Sequence, residues 1–419
     1  MSDWWHLLPA DVWFFRDAKP FTAGESHRAE SRFPPPPATV LGALRTALLA
    51  RAGLSFDAVR EDSRARIESK HQPLLDLVGT ASRPGSLGIR GPFLCRRDGE
   101  HATLLLKPPL DLLGRNWITP LAPEGLPGLV VNDPQLRLLW SGGSAGGEEV
   151  PKDRWIELAD LLSFLAQPSA PPGTETPGDA ALRRETRTGL ELGAGRTAKP
   201  GLFYIAEMVR LLDGRGADGR ARYGLALRAD GVPAGLALPR GPLALGGKAR
   251  AAELTPMADD TADALDACLA GHAQAIKPAI RDTGRFRVYA AAPALFQGGW
   301  CPDWILPHCN GACGQLPEGT AIELVAAAVG KPEPVSGWDL AAGTPKPLYR
   351  AVPAGSIYDF QVAADPPLDD ALVDGLIARF HFADGFRADG ASALPEPLTA
   401  GFGLTLLGTW DPWEGITQR

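Results

Sequence analysis

The 419-residue sequence has few cysteines, few histidines and no excess of positive charge. Five cysteines in so long a chain do not make a disulfide framework, and the N-terminus lacks the charged and apolar segments of a secretory signal. No stretch approaches the roughly 18 consecutive apolar residues that a membrane-spanning helix requires. The sequence therefore predicts a cytoplasmic protein without a membrane partner.

The charge balance gives a net charge of −7, from 42 Lys and Arg against 49 Asp and Glu. Because phosphate binding needs clustered cations, this sum argues against a nucleic-acid partner. The cations are unevenly spread, however, and the stretches 31–56, 183–199 and 277–287 are locally basic. They are either sites for an anionic chain or ordinary solvated surfaces, and charge alone does not decide between the two.

Length and turn content indicate more than one domain, since one hydrophobic core rarely serves so long a chain. The 48 glycines and 40 prolines predict many turns and long connections. Strand and helix patterns recur in both halves without the alternation of a doubly wound parallel fold. We predict an α+β protein with two antiparallel sheets backed by helices, divided into 1–198 and 199–419. The first part includes an insertion at about 55–182, which is rich in Gly and Pro over 141–180.

Apolar spacing predicts helices at 38–52, 262–276 and 368–380. In the first of them Arg45 lies only about 40° around the axis from Leu41, so it borders the buried stripe. A strand at 202–211, followed by a turn region, predicts a hairpin with a second strand at 223–227.

Candidate chemistry is sparse. There is no Walker-type loop, no carboxylate cluster suited to two metals and no histidine beside a second acid or base, so no catalytic residue is predicted. Cys301, Cys309 and Cys313, with His308 among them, form the one candidate metal cluster. Zinc sites usually present paired ligands two to four residues apart, so buried free thiols are favoured and no metal or cofactor is predicted.

Several segments carry a more specific pattern. The first two are Val-Trp-Phe-Phe-Arg-Asp-Ala-Lys-Pro-Phe at 12–21 and Phe-Pro-Pro-Pro-Pro-Ala-Thr-Val-Leu-Gly-Ala-Leu-Arg at 33–45. Later segments include Glu-Thr-Arg-Thr-Gly-Leu at 185–190, Ser-Gly-Trp-Asp-Leu at 336–340 and Leu-Thr-Ala-Gly-Phe-Gly-Leu at 398–404. In order and combination they closely resemble the third-subunit family of the Cmr complex, the type III-B CRISPR effector, within the RAMP superfamily.

The resemblance implies two ferredoxin-like modules of the RNA-recognition type that hold the repeat-derived 5′ tag of the CRISPR RNA. It also implies docking against the large polymerase/cyclase-like subunit and against the backbone RAMP subunit, and a role without catalysis. The insertion at 141–180 and the cysteine cluster have no counterpart that we can identify in the family pattern.

The predicted RNA-binding residues fall into four groups: cations on a proline-braced loop, one side of the first helix, a basic strand residue, and a C-terminal glycine loop with an aromatic residue. The set is Arg16, Lys19, His27, Arg28, Arg32, Thr39, Gly42, Arg45, Arg187, Trp338, Gly401 and Gly403. Each group has a structural alternative: a solvated loop for the cations, a buried ion pair for Arg45, a hairpin bulge for the glycines, and core packing for Trp338 and for the further aromatic candidates Trp300 and Tyr358.

Two other functions stay open at this point. Related RAMP modules cleave RNA with a histidine base, for which His27 is the candidate in this chain. A pure scaffold that touches only protein is the third possibility.

Overall fold

The computed structural model describes residues 3–18, 28–56, 69–80, 84–113, 116–117, 119–120, 136–140, 154–167, 175–193, 195–214, 221–305, 313–315, 319–339, 343–386 and 401–412. No helix within these ranges combines the length and apolarity needed to cross a membrane.

The strands up to residue 256 are β1 (Trp4–Pro9), β2 (Arg28–Ala29), β3 (Gly88–Asp98), β4 (His101–Leu106), β5 (Leu112–Leu113), β6 (Asn116–Trp117), β7 (Thr119–Pro120), β8 (Leu139–Trp140), β9 (Arg154–Glu157), β10 (Glu175–Pro177), β11 (Leu182–Leu192), β12 (Ala198–Leu211), β13 (Asp213–Gly214), β14 (Ala221–Asp230), β15 (Gly241–Leu245) and β16 (Arg250–Pro256). Those that follow are β17 (Arg285–Ala290), β18 (Ala294–Leu295), β19 (Cys313–Gln315), β20 (Ala321–Ala328), β21 (Glu333–Val335), β22 (Trp338–Asp339), β23 (Thr344–Pro345), β24 (Tyr349–Val352), β25 (Ile357–Val362) and β26 (Thr405–Gly408).

The α-helices are α1 (Pro37–Arg51), α2 (Gln72–Val78), α3 (Leu158–Ala166), α4 (Gly178–Ala181), α5 (Asp259–Thr283) and α6 (Asp370–Phe380). The helices predicted at 38–52, 262–276 and 368–380 are confirmed as α1, α5 and α6.

The first sheet has the strand order β10-β9-β4-β3-β14-β1-β16-β15, with β13 paired to β14. Its central strand β1 is apolar almost throughout because both of its faces are covered. Trp5 and Leu7 point into the cluster that contains α1, whereas Trp4 points into the cluster that contains α3 and α5. Because side chains alternate in direction along a strand, β1 contributes residues to two hydrophobic cores.

The second sheet has the order β19-β20-β25-β17-β26, and each neighbouring pair is antiparallel. Numbered by position in the chain, its four main strands β17, β20, β25 and β26 lie side by side in the order 4-1-3-2. Four neighbouring strands of the first sheet repeat this order: β16, β1, β14 and β3 lie side by side, and among these four they are the fourth, first, third and second along the chain. The same topology therefore occurs twice.

One sequence-based expectation differs from the structure. The predicted hairpin of 202–211 with 223–227 is wrong, because β12 pairs along its length with β11, and β14 pairs with β1, β3 and β13 instead. The division into 1–198 and 199–419 stays a prediction. Its boundary falls at the start of β12, within the β11–β12 hairpin, and strands β14 and β16 of the first sheet lie after it.

A buried ionic cluster joins the segment after β4 to the second sheet. The Arg287 guanidinium donates from Nε to Asp359 Oδ1 at 3.0 Å, and its Nη1 lies 2.9 Å from Asp111 Oδ2. All three side chains are fully buried. Beside them, the Tyr289 hydroxyl donates to the Lys107 carbonyl oxygen at 2.6 Å.

Two carboxylates face one guanidinium in this cluster, so a net negative charge is buried when both are ionised. Burial raises the pKa of Asp359 to about 6, helped by the charge of Asp111 and opposed by Arg287. Burial likewise raises the pKa of Asp111. The guanidinium is thus the charge that makes both carboxylates tolerable in the interior.

Replacing Arg287 by Met should lower the free energy of unfolding by about 3–5 kcal/mol, because it leaves two buried carboxylates without a cation. Urea denaturation at neutral pH measures this loss. A loss under about 1 kcal/mol would contradict the role given to Arg287, since that is the worth of an exposed ion pair.

The pH dependence of folding stability tests the same buried cluster. The pKa of Asp359 is about 6 in the folded chain against 3.8 for an ordinary Asp, so the folded state binds more protons between these values. Its contribution to stability is present below about pH 4 and is lost as the pH rises through about 6. The variant Asp111→Asn removes one of the two negative charges, so we expect a flatter pH profile of stability.

Candidate nucleic-acid interface

A third sheet, which we call the hairpin sheet, consists of β11, β12 and β2. Strands β11 and β12 are antiparallel, and β2 adds to β12 in parallel, with Arg28 opposite Ile205. Because side chains alternate along a strand, the sheet has two distinct faces. On one face Ala206 and Met208 are buried against Val12 and Phe14.

The other face of the hairpin sheet, which we call the exposed hairpin face, is open to solvent along β11 and at Phe203, whereas Glu207 and Val209 of β12 on the same face are buried. Leu190 and Phe203 lie directly opposite each other near its end and are 56% and 41% exposed. Thr186 and Thr188 continue the same face along β11 and are also exposed. Exposed rings and hydroxyl groups on a sheet surface are the groups that bind single-stranded RNA, through base stacking and hydrogen bonds.

Two arginines on the exposed hairpin face share one carboxylate. Glu207 Oε1 accepts from Arg184 Nη1 at 2.6 Å, and its Oε2 accepts from Arg28 Nη2 at 3.3 Å. Arg184 also donates to the Ser31 carbonyl oxygen at 2.7 Å, and Glu30 approaches Arg28 at 3.6 Å. The carboxylates hold both guanidinium groups in place and offset their charge, while the Arg28 side chain stays 59% exposed.

A second charge cluster contains Arg187, one of the predicted RNA-binding residues. Arg187 Nη2 lies 3.5 Å from both Asp11 Oδ2 and Glu185 Oε2. Arg210 pairs with the same two carboxylates, and its hydrogen bond lowers the pKa of Glu185. The positive charge of Arg187 is therefore offset by two neighbouring carboxylates, and its side chain is partly exposed.

The loop that carries the predicted cations is closed at its base by backbone pairing. The Asp17 N–H donates to the Glu30 carbonyl oxygen and the Arg32 N–H to the Phe15 carbonyl oxygen, both at 2.9 Å. Arg16 is exposed at this base, where its backbone bridges to Ser31. The predicted contacts Lys19 and His27 lie outside the described residues.

Arg32 turns away from the loop. Its side chain is only 16% exposed, and it forms an ion pair with Glu333 and donates to the Pro334 carbonyl oxygen at 3.1 Å. Burial lowers the pKa of this guanidinium to about 10. The arginine that was expected to meet a phosphate thus meets β21 instead.

Helix α1 presents Thr39, Gly42 and Arg45 at intervals of three residues, so they lie along one side of the helix. All three are half-buried, and for Arg45 this agrees with its predicted position beside the apolar stripe. A Cβ atom at Gly42 would meet nothing within 4 Å. Packing within the described residues therefore gives no reason for this glycine, and it leaves room for another molecule to approach.

The glycine loop near the C-terminus has an internal explanation. Gly401 and Gly403 have φ angles of +81° and +73°, a region that disfavours other residues. A Cβ at Gly401 would lie 2.7 Å from the carbonyl oxygens of Ile89 and Gly91. The Gly403 N–H donates to the Pro293 carbonyl oxygen at 2.9 Å. Both residues are buried, and the fold itself requires glycine at these positions.

The aromatic candidates divide into two kinds. Trp338 is 58% exposed on the short β22–β23 ribbon, and Trp300 is 42% exposed. Tyr358 is a core residue instead, packed on Phe360 and Phe386, with its hydroxyl donating to the Trp300 carbonyl oxygen. Tyr358 therefore belongs to the core, which is the alternative that the sequence left open for it.

The cysteine cluster is only partly visible. Cys301 is half-buried, and burial, with a contribution from Asp303, raises its pKa to about 11. Cys309 and His308 lie outside the described residues, as does the side chain of Cys313. Across the described ranges no three metal-ligating side chains come together.

Arg16 and Arg28 thus lie together at one loop base, and Thr39, Gly42 and Arg45 lie along one side of α1. Arg32 is largely covered, and the two glycines are buried. Sequence analysis missed Arg184, Thr186, Thr188 and Phe203 on the exposed hairpin face. The sequence gives little signal for this face, since residues 184–188 are all polar, and the segment was interpreted only as a basic stretch.

Comparison with known proteins supplies a family. A model of the family described as CRISPR-associated protein (Cas_Cmr3) matches residues 5–410. A chain in a cryo-EM structure of the type III-B Cmr-beta bound to cognate target RNA and AMPPnP is 14% identical, with 90% of this chain and 88% of that chain covered and a TM-score of 0.41. A chain in the structure bound to cognate target RNA alone is 16% identical, with 85% and 86% covered and a TM-score of 0.39. No curated protein matches.

The two buried glycines yield a matched pair of variants. Gly403→Ala should lower the free energy of unfolding by about 1–2 kcal/mol, the cost of a left-handed conformation, because its nearest contact would be a 3.6 Å approach to Phe386. Gly401→Ala should lose a further 1–3 kcal/mol or so, because its Cβ meets two carbonyl oxygens. Equal losses in urea denaturation would show that the close approach to β3 does not matter.

Proposed function

Because the chain belongs to the CRISPR-associated Cas_Cmr3 family, we propose that it is a non-catalytic subunit of a type III-B effector complex that binds the repeat-derived 5′ tag of the CRISPR RNA. In this proposal it also bridges the large polymerase/cyclase-like subunit to the backbone RAMP subunit. The family assignment supports membership of the complex, and the arrangement of the exposed groups supports RNA binding.

We interpret both sheets as ferredoxin-like modules. Their shared 4-1-3-2 order of antiparallel strands is that of the β-α-β-β-α-β unit. The first module has α1 between its first and second strands, but between its third and fourth it has only the 3₁₀ turn Gly247–Ala249. The second module has α6 between its third and fourth strands. An RNA-recognition module uses such a sheet to present side chains to a single strand.

One observation carries the RNA-binding proposal: the exposed hairpin face combines Phe203 and Leu190 with two hydroxyl side chains and the held guanidinium groups of Arg28 and Arg184. The Phe203 ring offers a stacking surface, the threonines offer hydrogen bonds to sugar or base edges, and the arginines can exchange a carboxylate for a phosphate. These functions need no catalytic group.

The charge balance limits the affinity of the isolated chain. Each arginine on the exposed hairpin face already has a carboxylate partner, and the whole chain carries a net charge of −7. A phosphate must therefore compete with Glu207 or Glu30. We expect weak binding by the chain alone and stronger binding when neighbouring subunits complete the site.

The endoribonuclease alternative rests on His27, which lies outside the described residues. Among the histidines within the described ranges, burial lowers the pKa of His6 and of His381 to about 4, and it also lowers that of His272. Such groups are poor acid or base catalysts near neutral pH. Cleavage of repeat RNA without metal, abolished by His27→Ala, would favour the nuclease over the binding subunit.

Salt dependence tests the arginines on the exposed hairpin face. If Arg28 reaches a phosphate, Arg28→Gln should flatten the slope of log affinity against log salt by about 0.7, the value for one single-stranded contact. Fluorescence anisotropy of tag RNA with the full-length chain, and with the complex it forms, measures the slope. Arg281→Gln is the control, since Arg281 is an exposed arginine paired with Asp282 on α5. If both variants behave alike, Arg28 is not a specific contact.

Phe203 tests stacking separately from charge. Phe203→Ala should weaken tag binding by about 1–3 kcal/mol if one base stacks on the ring. The salt slope should stay unchanged, because no cation is removed. Unaltered affinity in the same anisotropy titration would remove Phe203 from the site and would favour a scaffold that contacts only protein on this face.

The variant Gly42→Ala distinguishes an effect on RNA binding from an effect on folding stability. Because a Cβ there meets nothing within 4 Å, Gly42→Ala in the helix should raise the free energy of unfolding by about 0.5–1 kcal/mol. If the RNA backbone approaches α1 at this point, the same variant should bind tag RNA less tightly. A variant that is more stable and binds equally well would show that the RNA does not approach α1 at this position.

A further inference from the structure

Arg32 occupies a junction between the two modules. Its backbone N–H closes the loop base through the Phe15 carbonyl oxygen. The next residue, Phe33, is buried in the first core with its ring edge-on to Trp155 at 6.0 Å between centroids. The Arg32 side chain reaches Glu333 and Pro334, which lie about 300 residues further along the chain in β21. Arg32 and Phe33 together thus contact the loop base, the first core and the second half of the chain.

Strand β21 leads directly to the exposed Trp338. Val335 at its end is buried in the same core cluster as α1 and β1. Ser336 and Gly337 follow, and they are fixed by two hydrogen bonds: Ser336 Oγ donates to the Lys346 carbonyl oxygen at 2.8 Å, and the Lys346 N–H donates to the Gly337 carbonyl oxygen at 2.9 Å. A displacement of β21 would therefore move the ribbon that carries Trp338.

We propose that Arg32 is a positioning residue: its ion pair with Glu333 and its hydrogen bond to Pro334 fix the loop base that carries Arg16 and Arg28 relative to the Trp338 ribbon, so that both meet the same RNA. The inference rests on the proposed RNA-binding function, and it replaces the expectation that Arg32 contacts a phosphate itself.

The geometry favours positioning over phosphate contact for two reasons. The Arg32 side chain is 16% exposed, whereas the Arg28 side chain of the same loop is 59% exposed. The Arg32 guanidinium also donates to the Pro334 carbonyl oxygen besides pairing with Glu333, so both of these contacts are made to β21. The burial that lowers the pKa of Arg32 to about 10 agrees with a guanidinium that serves the protein interior.

A double-mutant cycle tests this assignment, with Arg32→Gln, Glu333→Gln and the double variant measured for tag RNA affinity over a series of salt concentrations. For a positioning pair, each single variant weakens binding by up to about fivefold, the worth of a partly exposed ion pair. The double variant is then no weaker than either single one. The salt slope stays that of the original chain, because no phosphate contact is lost.

The opposite pattern would overturn the inference. If Arg32 contacts a phosphate, Arg32→Gln flattens the salt slope by about 0.7, and Glu333→Gln tightens binding because a competing carboxylate is gone. Additive losses in the double variant would also overturn it.

The exchanged pair Arg32→Glu with Glu333→Arg provides a rescue and a check on folding. If the pair only positions the two modules, the exchange restores affinity relative to Arg32→Glu alone; if Arg32 is an RNA ligand, it does not. Arg28→Gln runs in parallel: a flattened slope for Arg28 with a failed cycle rejects the Arg32 assignment alone, whereas tag RNA binding that does not respond to salt in the original chain rejects the proposed function.

Discussion

The pairing of arginine with carboxylate is the interaction that decides where this acidic chain can meet an anionic partner. Arg287 is buried with two carboxylates and joins the segment after β4 to the second sheet. Arg32 is largely covered and joins the loop base to β21. Arg28 is exposed and only partly offset by Glu30 and Glu207. The depth of burial thus separates chemically identical side chains into a fully buried one, a largely covered one, for which we propose a positioning role, and an exposed one, for which we propose RNA binding.

The same pairing explains why a chain with a net charge of −7 can still be an RNA-binding subunit. Salt screens charges beyond about 8–10 Å, so the net charge of the chain weakens its attraction for a phosphate less than the neighbouring carboxylates do. The phosphates interact mainly with nearby guanidinium groups, which on the exposed hairpin face are held in place beside an exposed ring. On the exposed hairpin face the carboxylates reduce the attraction but also fix the geometry, so that affinity is limited while the site stays ordered.

Local patterns predicted local structure well. Helix α1 was expected at 38–52 and spans Pro37–Arg51, because a proline brace and leucines at helical spacing act within a few residues. The partner of β12 was predicted wrongly, since the turn region at 213–216 favoured the neighbouring strand, whereas β11 is strongly charged and looks unlike a strand. Its charged side chains lie on both faces of the strand, so no period of two is visible in the sequence, and the strand is recognised only from its pairing with β12.

The RNA-binding residues stay predictions, and the sequence could place only some of them in the fold. Arg28, Gly42 and Arg45 could be placed because the loop and helix that carry them are local features. The closeness of Gly401 to Ile89 and Gly91, and of Arg32 to Glu333, joins residues about 300 positions apart. No single sequence displays such contacts, so neither the backbone packing at Gly401 nor the contact of Arg32 with β21 could be predicted.

Cross-linking within the assembled complex tests the central claim, that the exposed hairpin face holds the leading nucleotides of the guide. Ultraviolet irradiation of the purified complex, followed by mass spectrometry of the peptides and sequencing of the attached RNA, identifies which nucleotides lie against which residues. We predict cross-links between the repeat-derived 5′ tag and the segment that contains Phe203. Cross-links from this segment to the 3′ part of the RNA, or tag cross-links confined to other subunits, would contradict the account.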